Sequence, residues 1–346
     1  MNASESIPAV QAARMARSTW SPFRRRVLIL GVGQLATDLC QALLSRRTGM
    51  NEVIGFLDRD LKRIGERLVN PGIIGTYDQL FEIVEKNNVQ TIAVCIEDRR
   101  AVLPVQNLLD FKALGLDIVD GHHLYEEVSG RLSIDFLRPS ALIFSTGFQR
   151  RTLTMGLKRL ADILASIVGL MFLAPVFVVV GLLIKLDSSG PVFYRQMRVG
   201  LRGQPYMIWK FRSMSKDAEK DGPRWAATDD QRISRVGRWL RKLRLDELPQ
   251  FINVLKGEMS LVGPRPERPV FVQELREGIP YYDMRHTVRP GITGWAQTQF
   301  RYGASAEDSH IKLQYDLYYV KNMSLPLDIR IIIETVGVVL SCEGAR

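Results

Sequence analysis

Apolar residues in the first 150 positions occur in short blocks, and segments with helical spacing lie between them. The blocks cover residues 27–30, 53–57, 91–96 and 116–119, and the helical segments run up to residue 44 and over residues 78–86 and 102–114. Alternating strands and helices are typical of a parallel, doubly wound sheet. We therefore predict an α/β, Rossmann-like domain over residues 26–148, after a flexible polar lead-in over residues 1–25.

A glycine motif follows the first apolar block. Gly31, Gly33 and Ala36 have the spacing Gly-x-Gly-x-x-Ala, which lets backbone amides approach a phosphate at a helix N-terminus. Asp58, at the end of the second block, is placed to hold a ribose hydroxyl. The pattern predicts a nucleotide site but leaves its occupancy open. A regulatory or assembly role is favoured over a catalytic one, because no acid–base pair accompanies the motif.

Beyond residue 150 the pattern changes to a long apolar segment. Residues 163–184 form a run of 22 residues without a charge. A straight helix of that length would measure ~33 Å, close to the ~30 Å hydrocarbon core of a bilayer. Pro175 lies near its middle and removes one backbone hydrogen bond, which bends a helix. The pattern predicts a re-entrant helical hairpin over about residues 157–186, and the alternative is a buried helix of a soluble core.

Basic residues flank this segment on both sides. Lys158 and Arg159 precede it and Lys185 follows it, so the positive-inside rule places both ends on the cytoplasmic face. A chain that bends at Pro175 and returns satisfies both flanks. Asp162, one turn after Lys158 and Arg159, is expected at the membrane interface, where a charge is tolerated if it is paired.

The formal net charge of +10 is concentrated in the C-terminal half. Residues 1–150 carry 18 Lys+Arg against 17 Asp+Glu, and residues 151–346 carry 29 against 20. A basic surface suits a nucleic acid, an anionic membrane or a phosphorylated substrate, and charge alone does not choose among them. The three cysteines are far apart in sequence, which argues against a disulfide framework or a zinc site and fits a reducing cytoplasm.

Two adjacent acids, Asp246 and Glu247, follow a basic amphipathic segment that begins at residue 234. A helix N-terminus and several guanidinium groups both lower the pKa of a carboxylate, so these acids are predicted to be ionised and suited to act as a nucleophile or a metal ligand. The alternative is a helix cap followed by a solvated acid. Arg289, in a rigid Pro-Gly loop, is a further candidate for binding phosphate.

Several motifs in order carry a resemblance to a known family. They are Lys158-Arg159-x-x-Asp162, Gly190-Pro191-Val192-Phe193, Lys210-Phe211-Arg212-Ser213-Met214, Leu245-Asp246-Glu247-Leu248-Pro249, Gly263-Pro264-Arg265-Pro266 and Arg289-Pro290-Gly291-Ile292-Thr293-Gly294-Trp295. Over about residues 150–342 the chain resembles the bacterial sugar transferases, the monotopic polyprenyl-phosphate phosphoglycosyl transferases of exopolysaccharide biosynthesis. The resemblance implies a mostly α, membrane-associated catalytic domain over residues 149–346.

The resemblance also implies a reaction. Asp246 would attack the β-phosphate of a UDP-sugar and release UMP, and polyprenyl phosphate would then take the sugar phosphate from the carboxylate. Mg²⁺ would be held partly by Asp246, and Glu247 would assist by ordering the metal or the incoming phosphate. Four cations would bind substrate phosphate: Lys210, Arg241, Arg265 and Arg289. The expected location is the cytoplasmic face of the bacterial inner membrane, with membrane lipid as a partner.

Two other functions stay open from the residues alone. A nucleotide-dependent oxidoreductase acting on sugars would use Gly31, Gly33 and Asp58, and a membrane-anchored nucleic-acid binder would use the basic half. We expect no nucleic-acid partner, because such a role gives no reason for two acids among the cations. The identity of the sugar and homo-oligomer formation stay open. Sugar selectivity is expected to depend on loops such as residues 221–229 and 300–309.

Overall fold

The structure is a computed structural model that describes residues 24–45, 51–96, 103–136, 147–148, 152–215, 218, 230–300 and 305–340. The two loops expected to govern sugar selectivity, apart from Phe300 and residues 305–309, lie outside the described residues. The chain divides into two compact units, residues 1–137 and 138–346, whereas the sequence placed the boundary after residue 148. Phe148 belongs to the second unit, because its backbone N–H donates to the Lys321 carbonyl at 3.1 Å.

The first unit contains a five-stranded parallel sheet with the order β3-β2-β1-β4-β5. Its strands are β1 (Arg25–Leu30), β2 (Asn51–Asp58), β3 (Ile73–Thr76), β4 (Thr91–Val94) and β5 (Asp117–Asp120). Its helices are α1 (Gln34–Ser45), α2 (Leu80–Asn87), α3 (Val105–Ala113) and α4 (Gly121–Ser129). The predicted parallel sheet is confirmed. Strand β3 was not predicted, because its sequence is only four residues long and contains a glycine.

Strand β1 lies at the centre of this sheet and is buried on both faces. Val27 and Ile29 pack in one cluster with the apolar face of α1, and Leu28 and Leu30 pack in another with α2 and α3. Successive strand residues point to opposite faces, so a continuous apolar run requires cover on both sides. Four consecutive apolar residues therefore specify the central strand.

The second unit is mostly helical, as predicted. It begins with the long helix α5 (Thr152–Asp187), and an antiparallel pair of strands follows, β6 (Phe193–Val199) and β7 (Pro205–Phe211). The short strands β8 (Ser260–Val262) and β9 (Gly291–Thr293) pair in parallel. The remaining helices are α6 (Arg235–Lys242), α7 (Gln250–Lys256), α8 (Pro269–Gly278), α9 (Trp295–Gln299), α10 (Ala306–Asn322) and α11 (Leu325–Leu340).

Helix α5 packs against this unit along one stripe and leaves the rest of its apolar surface uncovered. The stripe includes Lys158, Asp162, Ser166, Val180 and Ile184, whose spacing matches one helix face. Only 11% of its most apolar 18-residue window is buried, so it is not the buried helix of a soluble core. Among the described residues it is the one helix long and apolar enough to cross a membrane.

Pro175, where a bend is predicted, does not interrupt the helix. The backbone stays helical from Thr152 to Asp187 with Pro175 inside. Both ends of α5 contact the same unit: the Lys158 ammonium donates to the Val262 carbonyl at 3.0 Å, and the Asp187 carboxylate accepts from the Val236 N–H at 3.3 Å. The re-entrant course through a membrane therefore stays a prediction.

Candidate active site

Asp246 and Glu247 lie in a 3-10 turn, Leu245–Glu247, between α6 and α7. Arg244, just before it, has a left-handed backbone with φ of +57°, which ends α6 and turns the chain. The two acids are only 7% and 8% exposed. Buried carboxylates require partners, because desolvation disfavours the charged form. The solvated-acid alternative is therefore wrong.

Glu247 is held by two cations from other parts of the fold. Its Oε1 accepts from the Lys210 ammonium of β7 at 3.1 Å and from the Arg265 guanidinium at 2.6 Å, and its Oε2 is 3.4 Å from the second Arg265 nitrogen. Burial raises the pKa of Glu247, but the charges of Arg265 and Lys210 outweigh burial and hold it well below its usual range. Glu247 is therefore the ionised centre of a cationic clamp.

Asp246 is in a different electrostatic state. Burial and the neighbouring charge of Glu247 raise the pKa of its carboxyl, and Lys210, Arg241 and Arg265 offset part of that rise. The prediction that both acids have lowered pKa values is correct for Glu247 and wrong for Asp246. The pKa values of the two acids differ because packing decides how far each carboxyl is desolvated and which of the two lies nearer the cations.

A cavity of about 310 Å³ opens at these residues. Asp246, Lys210 and Arg241 line it together. Other lining residues are the polar Gln196, Arg198, Glu267 and Arg268 and the aromatic Phe193, Tyr194, Phe211 and Phe271. Several cations around one acid provide the donors that a diphosphate needs, and the aromatic rings provide apolar surface.

Residues 153–342 match the model of the family described as bacterial sugar transferase. The chain belongs to this family. The resemblance inferred from the motifs is thereby confirmed, and the match includes both acids, the clamp and the long helix.

Individual relatives agree with this assignment. A UDP-N-acetylgalactosamine-undecaprenyl-phosphate N-acetylgalactosaminephosphotransferase of Aeromonas hydrophila is 45% identical over 221 residues, which cover 64% of this chain and 52% of the relative. An undecaprenyl-phosphate glucose phosphotransferase of Komagataeibacter xylinus is 35% identical over 322 residues, 90% of this chain and 58% of the relative. A UDP-glucose:undecaprenyl-phosphate glucose-1-phosphate transferase of Xanthomonas campestris pv. campestris is 34% identical over 93% of this chain and 68% of the relative. The chain thus spans a little over half the length of the first two relatives.

Arg289 is placed apart from the clamp. Its Nε donates to the Gly257 carbonyl at the C-terminus of α7, at 2.9 Å. It lines a small second cavity together with Lys158, Arg159 and Asp162. Carbonyls at a helix C-terminus lack intrahelical donors, and Arg289 satisfies one of them. The structure thus brings Lys210, Arg241 and Arg265 to the acids but does not place Arg289 with them.

The Lys158-Arg159-x-x-Asp162 motif fastens α5 to the rest of the unit. The Lys158 ammonium pairs with Asp328 of α11 at 2.6 Å, Arg159 donates to the Val254 and Leu255 carbonyls, and the Asp162 carboxylate accepts from the Leu261 N–H at 3.0 Å. The interface position of Asp162 stays a prediction, and within the unit its carboxylate bonds a backbone amide. Sequence reasoning missed Asp328, which is 170 positions from Lys158.

The glycine motif of the first unit has the expected tight turn. Gly31 has φ of +109°, and a Cβ there would lie 2.8 Å from the Cys95 carbonyl oxygen. Ala36 is fully buried, and its N–H donates to the Gly33 carbonyl at 3.1 Å. The Asp58 carboxylate already pairs with the Arg63 guanidinium at 2.9 Å. Ribose recognition by Asp58 would require that pair to rearrange.

Gln250 is a residue that sequence reasoning passed over. It stands one helical turn after Asp246, at the start of α7, and is 2% exposed. Its amide nitrogen is buried without a hydrogen-bond partner in the described part of the chain. The signal in the sequence was a polar residue four positions after a candidate nucleophile, at the predicted start of a helix.

The site suits a metal only in combination with a substrate. The described ranges contain no group of three His, Cys, Asp or Glu side chains placed to hold a metal ion. The Glu247 oxygens are engaged with cations, so Asp246 is the acid of this pair available as a ligand. Mg²⁺ commonly takes one or two carboxylates and completes its shell with phosphate oxygens and water. The donor set therefore fits Mg²⁺ bound jointly by Asp246 and a diphosphate.

Proposed function

We propose that this chain transfers a sugar 1-phosphate from a UDP-sugar to undecaprenyl phosphate and so begins exopolysaccharide or glycoconjugate synthesis. The names of the relatives support the two substrates. The observation that carries the proposal is the buried Asp246 in a cavity shared with Lys210 and Arg241 and adjoining the Glu247–Arg265 pair. That arrangement provides a nucleophile and phosphate-binding cations in one place.

The reaction has two displacements. A carboxylate oxygen of Asp246 attacks the β-phosphorus, the bond from that phosphorus to the bridging oxygen breaks, and UMP leaves with the oxygen. A phosphate oxygen of the lipid then attacks the same phosphorus, and the bond to Asp246 breaks to restore the carboxylate. Covalent catalysis divides one difficult transfer between two polyanions into two easier steps.

Each cation has a part in this scheme. Lys210 and Arg241 line the cavity and bind the oxygens of the donor's phosphates, and Arg265 holds Glu247 against the same site. Fixed donors stabilise the charge that develops on phosphate oxygens at the transition state. Asp246 and the diphosphate would hold Mg²⁺, which would supply further charge neutralisation.

The proposed setting is the cytoplasmic face of the bacterial inner membrane, with α5 as a re-entrant element. Its uncovered surface includes Met171, Phe172 and Val178, each more than 70% exposed. Trp239 of α6 and Ile333 of α11 add exposed apolar side chains on other helices. Such surfaces suit the acyl boundary of a lipid layer, where the lipid substrate carries its phosphate.

Cysteine labelling tests this course of the chain. Single cysteines at Leu153 and Leu186, near the two ends of α5 and both 76% exposed, should react with an impermeant reagent from the same, cytoplasmic side. A cysteine replacing the exposed Glu277 of α8 reports the side of the catalytic unit. Labelling of the two helix ends from opposite sides of the membrane would refute the re-entrant course.

Trapping of the enzyme with donor alone tests the chemistry. Protein incubated with a UDP-sugar and Mg²⁺ should gain the mass of one sugar phosphate on Asp246 and release one equivalent of UMP. Asp246→Asn should do neither, and the control Asp283→Asn, at an exposed acid, should behave as wild type. A panel of UDP-sugars then identifies the donor. Wild-type turnover by Asp246→Asn would disprove the nucleophile.

A further inference from the structure

A second buried ion pair lies behind the clamp, and none of the motifs pointed to it. Arg285 donates from Nε and from a terminal nitrogen to one oxygen of Asp316, at 3.1 and 2.8 Å. Both side chains are almost fully buried, with 6% and 3% of their surfaces exposed. Arg285 lies in the 3-10 segment Tyr282–Thr287, and Asp316 lies on α10.

This pair is connected to the acids through the backbone of Arg265. The terminal nitrogen of Arg285 that bonds Asp316, Nη2, also donates to the Arg265 carbonyl oxygen at 2.8 Å. The side chain of that same Arg265 donates to Glu247 at 2.6 Å. A continuous chain of contacts therefore runs from Asp316 through Arg285 and Arg265 to Glu247, the neighbour of Asp246.

The segment that Arg285 holds is fixed through its carbonyl groups: the Pro264 oxygen accepts from the Gly291 N–H at 3.0 Å, and the Pro266 oxygen accepts from the Arg198 guanidinium at 3.1 Å. Arg265 stands between Pro264 and Pro266, which have no backbone N–H and cannot be tied down by donating hydrogen bonds. The Arg265 side chain is 37% exposed, so packing alone leaves its guanidinium freedom to move. A buried donor on its carbonyl restricts that freedom.

We propose that Arg285 and Asp316 are positioning residues that fix the backbone of Arg265 and thereby hold its guanidinium on Glu247. Asp316 orients the Arg285 fork, and the Tyr282 hydroxyl accepts from its remaining terminal nitrogen at 2.6 Å. Lysine cannot replace this fork, because an ammonium is a single point of donation and cannot reach a carboxylate, a hydroxyl and a carbonyl in these directions. Stability alone is a weak reason for such a pair, since matched apolar residues are often equally stable.

The kinetic part of the test rests on the proposed function. In Arg285→Lys and Asp316→Asn, kcat for UMP release should fall about tenfold or more while KM for the UDP-sugar changes less than about threefold, because misplacement affects the reacting geometry more than binding. In a Glu247→Gln background the same substitutions should cost less than about twofold, since the charged contact they support is already lost. Arg276→Lys, at an exposed arginine paired with Asp283, is the matched control and should leave kcat unchanged.

A second measurement needs no substrate. Urea unfolding is compared for the wild type, Arg285→Lys, Glu247→Gln and the double variant. The change in the unfolding equilibrium constant of the double variant should differ from the product of the two single changes by at least about twofold. An equal loss of kcat in both backgrounds, or additive unfolding, would overturn the positioning role. If the wild type turns over no UDP-sugar, the proposed function fails, and the unfolding cycle still decides the inference about Arg285.

Discussion

Replacement of Glu247 by glutamine removes the charge at the centre of the clamp while keeping its shape. In the native site one carboxylate serves two cations, Arg265 at 2.6 Å and Lys210 at 3.1 Å. The glutamine carbonyl can accept from one of them, but its NH₂ group is a donor and repels the other. Both cations therefore lose the counter-charge of residue 247, and one of them also loses its hydrogen-bond acceptor.

The expected magnitude follows from the burial of the carboxylate, whose side chain is 10% exposed. Breaking a buried pair by removing one partner costs about 3–5 kcal/mol. For a unit of this size that corresponds to a fall in Tm of about 6–20 °C. Loss of a charge-assisted hydrogen bond, worth about 1.5–3 kcal/mol, should lower kcat about 10- to 150-fold if it acts at the transition state.

The measurements are thermal unfolding and UMP release by purified Glu247→Gln in lipid nanodiscs. We expect kcat to fall and KM for the UDP-sugar to change little, because Lys210 and Arg241 still bind phosphate. The control Glu277→Gln removes one charge from an exposed position on α8 and should leave both quantities unchanged. An unchanged Tm, or a rise in KM as large as the fall in kcat, would refute a clamp centred on Glu247.

Three further substitutions test other parts of the structure by thermal unfolding. Burial lowers the pKa of His286 from 6.5 to about 4, so the unfolded chain takes up this proton at a higher pH than the folded chain. Up to about 3 kcal/mol of unfolding free energy is therefore present above pH 6.5 and lost as the pH falls to 4. His286→Gln should reduce this loss, and an unchanged dependence of Tm on pH would contradict it. Lys158→Met leaves Asp328 buried without its cation and should lower the free energy of unfolding by about 3–5 kcal/mol. The double variant Lys158→Met with Asp328→Leu should regain most of that stability. Equal stability of the single and double variants would exclude a contribution from the pair. Gly31→Ala should lower the free energy of unfolding by about 1–3 kcal/mol, because Gly31 has a positive φ. The control Gly278→Ala, in open space, should change it little, and equal losses would contradict a strained turn at Gly31.

Much of this protein is determined by patterns that are local in sequence. The central strand, residues 27–30, is recognisable because four adjacent apolar residues need cover on two faces. The long helix is recognisable because a run of 22 residues without a charge is long enough to cross a bilayer. Asp246 and Glu247 were found as candidates because they are neighbours within a motif. The short strand β3 was missed, because a four-residue segment that contains a glycine carries a weak pattern.

Only the tertiary structure decided which residues serve the acids. Lys210 and Arg265 are 37 and 18 positions from Glu247, and the Arg285–Asp316 pair reaches it only through a backbone carbonyl. Arg289 had the same chemical type as the clamp residues, and its position against Gly257 came from packing. The opposite pKa shifts of Asp246 and Glu247 have the same origin. Burial and pairing between distant residues exist only in the folded chain. Two adjacent acids of similar chemistry therefore acquire different pKa values only after folding.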